Sequence, residues 1–390
     1  MKKILIVFIA VAALCACTKE PGYVINGQVG NVNGEATLTY ALPDGTPVET
    51  TVPVNNGAFT FKGNVPDVLS GTIVITPEGG QPTRASLYVE NAPLTLVVDP
   101  DKVVDYGPYG GLVYTDCKTT GGPNNDFSLA VEEAQDAVGQ QPEYKDLADA
   151  YNALQKIGYA DMALYQQKTA EFQEKYGDQQ GAYFDAVQEA MKKVIDQNTD
   201  VEASAYMYRH YNSDLPFEEL EAGFNRYSEK VRNSFLAKDL CEELAARRAT
   251  IPGAEAPDFT LNDPQGNPVT LSSLRGQYVI VDFWASWCKP CRAGMPAMKE
   301  LYAKYHKKGL EIIGVSDDND HDKWRQAIEQ DQTPWIHVVD EFPEENKPAR
   351  VISSYGVHYI PSYFLLDKEG KVIGKMEHEE LETKLAELLD

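Results

Sequence analysis

Short apolar runs alternate with turn residues over the first third of the chain, at residues 23–115. Asp44-Gly45 and Asn56-Gly57 separate segments in which apolar and polar residues alternate, a pattern typical of β-hairpins. Further strands are predicted at residues 72–76, 86–89 and 94–98. Together these segments predict a small antiparallel, sandwich-like all-β domain. No cluster of charged or nucleophilic residues stands out within it, so we do not expect this domain to be catalytic.

The spacing of apolar residues changes to three and four positions between residues 124 and 248, which places them on one face of successive helices. The sequence predicts a helical segment or bundle here, with aromatic residues in its core. The predicted helical faces consist of Leu147, Tyr151 and Leu154; of Phe184, Val187, Met191 and Val194; and of Leu220, Phe224, Tyr227 and Val231.

Another pattern begins after a linker at residues 250–253, which contains a proline and a glycine. A strand is predicted at residues 278–285, a helix at residues 290–307, and a second strand at residues 310–315. Hairpins are expected around Gly266 and Gly370, and a C-terminal helix follows. This order of elements predicts an α/β domain with a mixed sheet flanked by helices at residues 253–390.

The N-terminus is predicted to lie outside the fold. Two lysines precede an apolar run at residues 4–13, which is too short to span a bilayer as a stable helix and is typical of an export signal. The next four residues, Leu14-Cys15-Ala16-Cys17, resemble the bacterial lipobox. An ordinary secretory signal cleaved nearby is the alternative. The resemblance implies a signal peptide at residues 1–16, a lipid on Cys17, and a tether over residues 17–22.

A lipid on Cys17 implies an envelope protein that faces the periplasm, because two or more acyl chains anchor a protein stably. Residues 18–20, Thr-Lys-Glu, lack the aspartate that holds lipoproteins at the inner membrane in some bacteria. We therefore expect anchoring at the outer membrane rather than the inner membrane.

Length and charge narrow the class of protein. A chain of 390 residues is too long for one ordinary core and predicts two or three domains. The formal net charge of -24 argues against binding to nucleic acid, because a polyanion would be repelled at long range. It equally argues against electrostatic binding to anionic lipid headgroups. We expect a soluble acidic surface.

Two cysteines of the mature chain stand alone, namely Cys117 and Cys241. A structural disulfide between them is possible in an oxidising compartment. They lie in segments predicted to belong to different domains, however, and their neighbourhoods carry no matching pattern. We expect two inert, partly buried thiols.

The chemistry is expected at Cys288 and Cys291, which stand three residues apart between a predicted buried strand and a predicted helix. Cysteines at this spacing can close a small disulfide ring, and the unpaired N-H groups of a helix start stabilise a thiolate on the first sulfur. Attack by Cys288 on a substrate disulfide gives a mixed disulfide, which Cys291 resolves. We expect Cys288 at the exposed end of the strand-to-helix turn, and Cys291 one turn into the helix and covered by the sheet. We expect neither a metal nor a cofactor, because zinc needs four ligands and the sequence has no second cysteine or histidine pair at ligand spacing.

Three stretches in the last third of the chain stand out as motifs, namely residues 256–261 (APDFTL), 281–292 (VDFWASWCKPCR) and 359–367 (YIPSYFLLD). Through these motifs, the last third resembles the membrane-anchored, thioredoxin-like thiol-disulfide oxidoreductases of the bacterial envelope. The resemblance implies a thioredoxin-like fold for residues 253–390. The front part, with the turn Thr-Thr-Gly-Gly-Pro-Asn-Asn-Asp at residues 119–126, more loosely resembles accessory domains that precede this module in lipoproteins of Bacteroidetes.

The same resemblance implies a substrate site around the two cysteines. Pro361 stands where the family has a cis-proline facing the disulfide, and the backbone of Ile360 is expected to pair with an extended substrate segment. Trp287, Lys289 and Pro290 are expected to complete the substrate-binding surface. For Pro361, the alternative is a trans-proline at the start of a strand.

Asp282 is the third expected catalytic residue. A carboxylate within the apolar residues 279–284 is costly to bury in its ionised form, so its pKa should rise and it can accept the proton of Cys291. Thioredoxins carry a buried acid at this position, six residues before the first cysteine. Many envelope relatives instead have asparagine there and a glutamate at the position that Gly294 occupies here. The alternative is a solvent-exposed aspartate at the edge of a strand.

These residues predict an enzyme that reduces protein disulfides in the cell envelope. The family implies its partners, which are disulfide-containing envelope proteins or cytochrome precursors and a membrane dithiol donor. An oxidase or isomerase is an alternative, because Lys289 favours the thiolate of Cys288 and makes the disulfide more oxidising. Peroxidases of the superfamily usually have threonine where Ala285 stands. A further alternative is a binding lipoprotein, in which the front domains recognise a ligand and the redox domain is auxiliary.

Overall fold

The computed structural model describes residues 22–157, 161–342 and 349–390. The predicted signal peptide and the predicted lipid site at Cys17 lie outside the described residues. The chain forms two compact units. The first comprises residues up to Asp214 together with Ala222–Lys238, and the second comprises Leu215–Glu221 and Asp239–Asp390. The domain boundaries drawn from the sequence stay predictions.

Two β-sheets begin the first unit, with the strand orders β10-β7-β1-β4 and β3-β2-β5-β6-β9-β8. The turns between several of these strands contain glycines with positive φ, such as Gly45 and Gly57, because tight hairpin turns require that backbone conformation. The strands are β1 (Tyr23–Val29), β2 (Gly34–Ala41), β3 (Pro47–Val54), β4 (Ala58–Gly63), β5 (Leu69–Pro77), β6 (Thr83–Val89), β7 (Pro93–Val98), β8 (Val103–Asp105), β9 (Leu112–Tyr114) and β10 (Cys117–Thr120).

The two sheets share one hydrophobic core, which confirms the predicted sandwich-like all-β region. Alternate residues of each strand point inward, and Ile25, Leu38 and Ile73 are completely buried. The predicted antiparallel pairing is wrong in two places, because β1 pairs in parallel with β7 and β6 pairs in parallel with β9. A parallel pair needs a long crossover connection, and the intervening strands β2 to β6 supply it between β1 and β7.

A helical region follows the sandwich, as predicted. Among the residues described, no helix is both long enough and apolar enough to cross a membrane. The helices are α1 (Gly107–Gly110), α2 (Pro123–Gly139), α3 (Lys145–Gln155), α4 (Met162–Gln197), α5 (Glu202–Asn212), α6 (Phe217–Phe224), α7 (Glu229–Arg232) and α8 (Lys238–Ala249).

The third predicted helical face is wrong in its local structure. Leu220 and Phe224 lie on α6, whereas Val231 lies on the separate helix α7 and Tyr227 lies in the turn between them. The helix is interrupted because Ser228 adopts an extended conformation and its side chain accepts a hydrogen bond from the N-H of Val231, which starts a new helix. The four residues are nevertheless buried, so the periodicity identified core positions correctly.

A buried carboxylate fixes the start of α2 in the first unit. Glu90 accepts hydrogen bonds from the backbone N-H groups of Asn124 and Asn125, at 3.1 and 3.2 Å, and from both of their side-chain amides. A carboxylate is favourable at this position because the first N-H groups of a helix have no partner within the helix. The polar turn at residues 119–126 therefore has a structural explanation in this unit.

The second unit is built on a mixed sheet with the strand order β12-β11-β15-β14-β13-β16-β17. This arrangement with helices confirms the predicted thioredoxin-like α/β fold. The strand Ile336–Val339 and the helices His321–Asp331 and Arg350–Ser354 were not predicted from the sequence. The elements are β11 (Thr260–Asn262), β12 (Pro268–Thr270), β13 (Tyr278–Trp284), α9 (Lys289–Tyr305), β14 (Leu310–Ser316), α10 (His321–Asp331), β15 (Ile336–Val339), α11 (Arg350–Ser354), β16 (Ser362–Leu366), β17 (Val372–Met376) and α12 (His378–Leu389).

Strand β13 lies at the centre of this sheet. It pairs in parallel with β14 and antiparallel with β16, and its residues after Tyr278 are buried. Its side chains alternate between two cores: Ile280 and Trp284 pack in the cluster that contains Cys288 and Cys291, while Val281 packs in the other. A strand buried on both faces explains the continuous apolar run in its sequence.

Candidate redox site

Cys288 and Cys291 form a disulfide at the start of α9. The S-S distance is 2.05 Å and the two Cα atoms lie 5.3 Å apart. Cys288 is the N-cap of the helix, and its Sγ accepts a hydrogen bond of 3.2 Å from the N-H of Cys291. Pro290 lies in the first turn, where its missing N-H costs nothing. The sulfur of Cys288 therefore lies where the helix start stabilises negative charge.

The exposure of the two cysteines differs less than the sequence analysis implied. Cys288 was expected at the exposed end of the turn, but 4% of it is exposed, compared with 2% of Cys291. The reason is that Cys288 packs in the same hydrophobic cluster as Cys291, and its Sγ lies 3.8 Å from the carbonyl oxygen of Ile360. In the oxidised protein, the two sulfurs differ in their place on the helix rather than in their exposure.

The Ile360-Pro361 peptide bond is cis, as predicted. Both residues are half-buried and precede β16, the strand next to β13. The hydroxyl of Ser362 donates to the carbonyl oxygen of Tyr359 at 2.8 Å, which closes the turn. This turn brings the carbonyl oxygen of Ile360 to the disulfide, while the ring of Tyr359 is 61% exposed.

The other predicted substrate-contact residues are at the surface. Trp287 is 62% exposed, and Lys289 and Pro290 are also exposed. A tryptophan is rarely so exposed, and a large exposed apolar side chain beside a reactive group is typical of a surface that binds a partner. The structure therefore places Trp287, Lys289 and Pro290 beside the cysteines and accessible to a substrate.

Asp282 lies in the middle of β13, between Gly314 on β14 and Tyr363 on β16. It is 2% exposed, and within the described chain its Oδ2 atom has no hydrogen-bond partner. Burial raises the pKa of Asp282 to about 7, as expected for a carboxyl group removed from water. The alternative of a solvent-exposed aspartate at a strand edge is wrong, because the strand is central. By alternation along β13, Asp282 faces the side of the sheet that packs against Cys291.

Two further buried polar residues of the second unit were not predicted. Asp318 follows β14 and accepts hydrogen bonds from Ser286, two residues before Cys288. His337 on β15 is buried, which lowers its pKa to about 4, and its Nε2 lies 2.7 Å from the hydroxyl of Thr333. The acidic run at residues 317–320, directly after a buried strand, was a signal for Asp318, since polar groups at the carboxyl ends of parallel strands tend to meet.

The remaining cysteines of the described chain, Cys117 and Cys241, are half-buried and take part in no disulfide bond. Burial is the main cause of a raised pKa at Cys117, and the nearby carboxylates of Glu132 and Asp116 raise it further. A raised pKa keeps a thiol protonated and unreactive. At Cys117, this agrees with the expectation of an inert thiol.

Comparisons with known proteins match the two parts of the chain separately. Residues 252–375 match the AhpC/TSA family, and residues 23–127 match a domain of unknown function, DUF4369. The thiol-disulfide oxidoreductase ResA of Bacillus thuringiensis subsp. konkukian is 37% identical over 137 residues, which are 35% of this chain and 76% of that protein. The ResA of Bacillus anthracis is 38% identical over 140 residues, which are 35% of this chain and 78% of that protein.

Among solved structures, the thioredoxin domain of a thiol-disulfide oxidoreductase from Bacteroides vulgatus is similar to the same region. It is 33% identical, with a TM-score of 0.34, and the match covers 36% of this chain and 99% of that one.

A disulfide between cysteines three residues apart at a helix start is typical of proteins that catalyse thiol-disulfide exchange. The chain belongs to the thioredoxin-like thiol-disulfide oxidoreductases, as the extensive identity with the Bacillus proteins shows. Its last third is thus the enzymatic part.

The raised pKa of Asp282 predicts a pH-dependent stability. The unfolded chain releases this proton near pH 4, whereas the folded protein keeps it up to about pH 7. The stability contributed by the protonated group is therefore complete below about pH 4 and is lost as the pH rises through 7. Asp282→Asn removes this loss. We therefore expect the free energy of unfolding of the variant to exceed that of the original protein by about 2 to 4 kcal/mol at pH 8 and by little at pH 4.

Urea unfolding of the oxidised protein at both pH values, followed by tryptophan fluorescence, measures this difference. The four tryptophans all lie in the second unit, so the signal reports on the part that contains Asp282. Asp322→Asn, at an aspartate whose side chain is 92% exposed, is the matched control and should show no such gain at pH 8. Equal stabilities of Asp282→Asn and the original protein at pH 8 contradict the prediction.

Proposed function

We propose that this oxidoreductase reduces protein disulfides in the cell envelope through a dithiol-disulfide cycle of Cys288 and Cys291. The observation that carries the proposal is the hydrogen bond from the N-H of Cys291 to the Sγ of Cys288. In the reduced enzyme the same N-H stabilises a thiolate on Cys288, which is the nucleophile in thiol-disulfide exchange.

Each turn of the cycle transfers two electrons. The thiolate of Cys288 attacks one sulfur of the substrate disulfide, which breaks that bond, forms a mixed disulfide and releases one substrate thiolate that takes a proton from water. Cys291 then gives its proton to Asp282 and attacks the Sγ of Cys288. This step releases the second substrate thiolate and closes the Cys288-Cys291 disulfide. A membrane dithiol donor reduces the enzyme again.

Asp282 suits the role of proton acceptor for Cys291. Its pKa of about 7 lies close to the ambient pH, where a general base is most effective. Its side chain lies on the face of the sheet that packs against Cys291, away from solvent. Since Gly294 offers no carboxylate one helical turn after Cys291, the proton falls to Asp282.

The proposed substrates are disulfide-containing envelope proteins or cytochrome precursors. Two exposed aromatic residues adjoin the site in the sequence. Trp287 directly precedes Cys288, and Tyr359 directly precedes the Ile360-Pro361 bond. An extended substrate segment can pair with the half-buried backbone of Ile360, and the exposed Lys289 and Pro290 complete the contact surface.

Oxidase or isomerase activity is the alternative for the same site, because the fold permits exchange in both directions. Ligand binding by the first unit is a second candidate function. It is favoured by a cavity of about 480 Å³ between the sandwich and α2, which is large enough for a small molecule and is lined by polar side chains that include Ser86, Lys118 and Glu132.

Trapping of mixed disulfides tests the proposed roles of the two cysteines. Cys291→Ser lacks the resolving thiol, so we expect substrates to accumulate as mixed disulfides on Cys288, at least about tenfold above the original protein, since exchange then stops after its first step. Cys288→Ser should trap almost none, and Cys117→Ser serves as the control. Non-reducing electrophoresis with mass spectrometry identifies the linked sulfur. Trapping on Cys291 rather than Cys288 reverses the assignment.

We further propose that Cys17 carries a lipid that anchors the protein at the outer membrane, facing the periplasm. Two lysines, a short apolar run and Leu14-Cys15-Ala16-Cys17 support this location. Cys17→Ala should release most of the protein from the membrane fraction without loss of activity, because the lipid attaches far in sequence from the catalytic residues. Unchanged fractionation together with an unchanged mass of the processed protein argues against lipidation.

A further inference from the structure

A buried carboxylate binds the loop that leads to Cys288. Asp318 is 1% exposed and lies two residues after the end of β14. The N-H of Ser286 donates to its Oδ2 at 2.7 Å, and the hydroxyl of Ser286 donates to its Oδ1 at 2.6 Å. The hydroxyl of Ser316 donates to Oδ2 at 2.6 Å. Both oxygens are thus occupied, which offsets the cost of burying a charge.

The topology of the sheet explains why Asp318 and Ser286 meet. Strands β13 and β14 are parallel neighbours, so the loops after them leave the same edge of the sheet. The N-H of Asp317 also donates to the carbonyl oxygen of Trp284 at 2.9 Å. The loop after β14 therefore holds the loop after β13 through its backbone and through the carboxylate of Asp318.

The loop held in this way positions the first cysteine. The N-H of Cys288 donates to the carbonyl oxygen of Ala285 at 3.1 Å, so Ser286 and Trp287 form the tight turn that ends at the helix cap. The contact between the N-H of Cys291 and the Sγ of Cys288 requires that this turn be fixed. Loss of the anchor on Ser286 allows Cys288 to move away from the helix start.

We infer that Asp318 is a positioning residue of the redox site, which holds Ser286 so that the Cys288 thiolate is stabilised by the start of α9. The inference rests on the proposed role of Cys288. The hydrogen bonds of Asp318 go to Ser286 and Ser316 rather than to the sulfurs, so Asp318 acts through the loop.

The sign of the effect separates positioning from simple electrostatics. A negative charge near a thiol opposes thiolate formation, so removing the charge of Asp318 without moving the loop lowers the pKa of the Cys288 thiol. Releasing the loop has the opposite effect, because the thiolate loses the N-H of Cys291. Other ionisable groups on the adjoining elements include Lys289, Cys291 and Arg292 on α9, Asp282 on β13, Tyr363 on β16, and Asp317 after β14.

The experiment compares Asp318→Ala, Ser286→Ala and Asp317→Ala in the full chain. Alanine offers no acceptor to the N-H and hydroxyl of Ser286 or to the hydroxyl of Ser316, so Asp318→Ala breaks the anchor. Asp317 is the matched control, because burial raises its pKa only to about 6 and it is ionised at neutral pH. Within the described structure, its side chain takes no hydrogen bond from the loop.

The pH dependence of iodoacetamide labelling at Cys288 in the reduced protein gives the thiol pKa, and equilibration with glutathione gives the reduction potential. We expect Asp318→Ala to raise that pKa by about one unit, which is a tenfold loss of thiolate, and to make the disulfide less oxidising. Ser286→Ala should shift both quantities in the same direction by less, and Asp317→Ala should lower the pKa or leave it unchanged.

A lowered or unchanged pKa of Cys288 in folded Asp318→Ala overturns the inference. If Asp318→Ala does not fold, as judged by tryptophan fluorescence, Ser286→Ala decides the question, and an unchanged pKa there has the same meaning. Failure of the unmodified protein to exchange thiols with a disulfide substrate counts against the proposed function instead. The two failures are therefore distinguishable.

Discussion

Complete burial of strand β13 is the constraint on which the redox site depends. Because β13 lies between β14 and β16 and packs against a core on each face, the strand cannot shift without opening the sheet. Cys288 begins α9 directly after the loop that leaves β13, and the cis-proline turn precedes the neighbouring strand β16. The disulfide and the carbonyl oxygen of Ile360 are thus held together by two adjacent strands of one sheet.

The same burial gives Asp282 an unfavourable environment that the proposed chemistry uses. A carboxyl group in the middle of an apolar strand costs stability once it is ionised, and within the described chain no donor compensates the Oδ2 atom of Asp282. The cost is reflected in its pKa of about 7. In contrast, Asp318 is equally buried but has donors on both oxygens, so its charge is stabilised. One carboxylate is suited to exchange a proton, and the other is suited to hold a loop.

The parts of the site that follow from local sequence were predictable. A continuous apolar run before Cys288 predicted a buried strand, and the spacing to Cys291 predicted the disulfide chemistry. Strand β15 was missed because it has only four residues, with the polar His337 among them. The contact between Asp318 and Ser286 was missed because it joins residues 32 positions apart, and it becomes visible only when β13 and β14 are known to be neighbours. Local patterns indicate the secondary structure of each segment. The pairing of strands that are distant in sequence decides which side chains come into contact.

The most direct test of Asp282 as the proton acceptor is the rate at which Cys291 resolves a mixed disulfide on Cys288. Rapid mixing measures this rate across about pH 5 to 9. With Asp282 as the proton acceptor, the rate in the original protein rises with an apparent pKa near 7. In Asp282→Asn this rise should be lost and the rate should fall about a hundredfold at neutral pH, as is typical when a general base is removed. Equal rates and equal pH profiles in the two proteins contradict the account, because Cys291 would then lose its proton without Asp282.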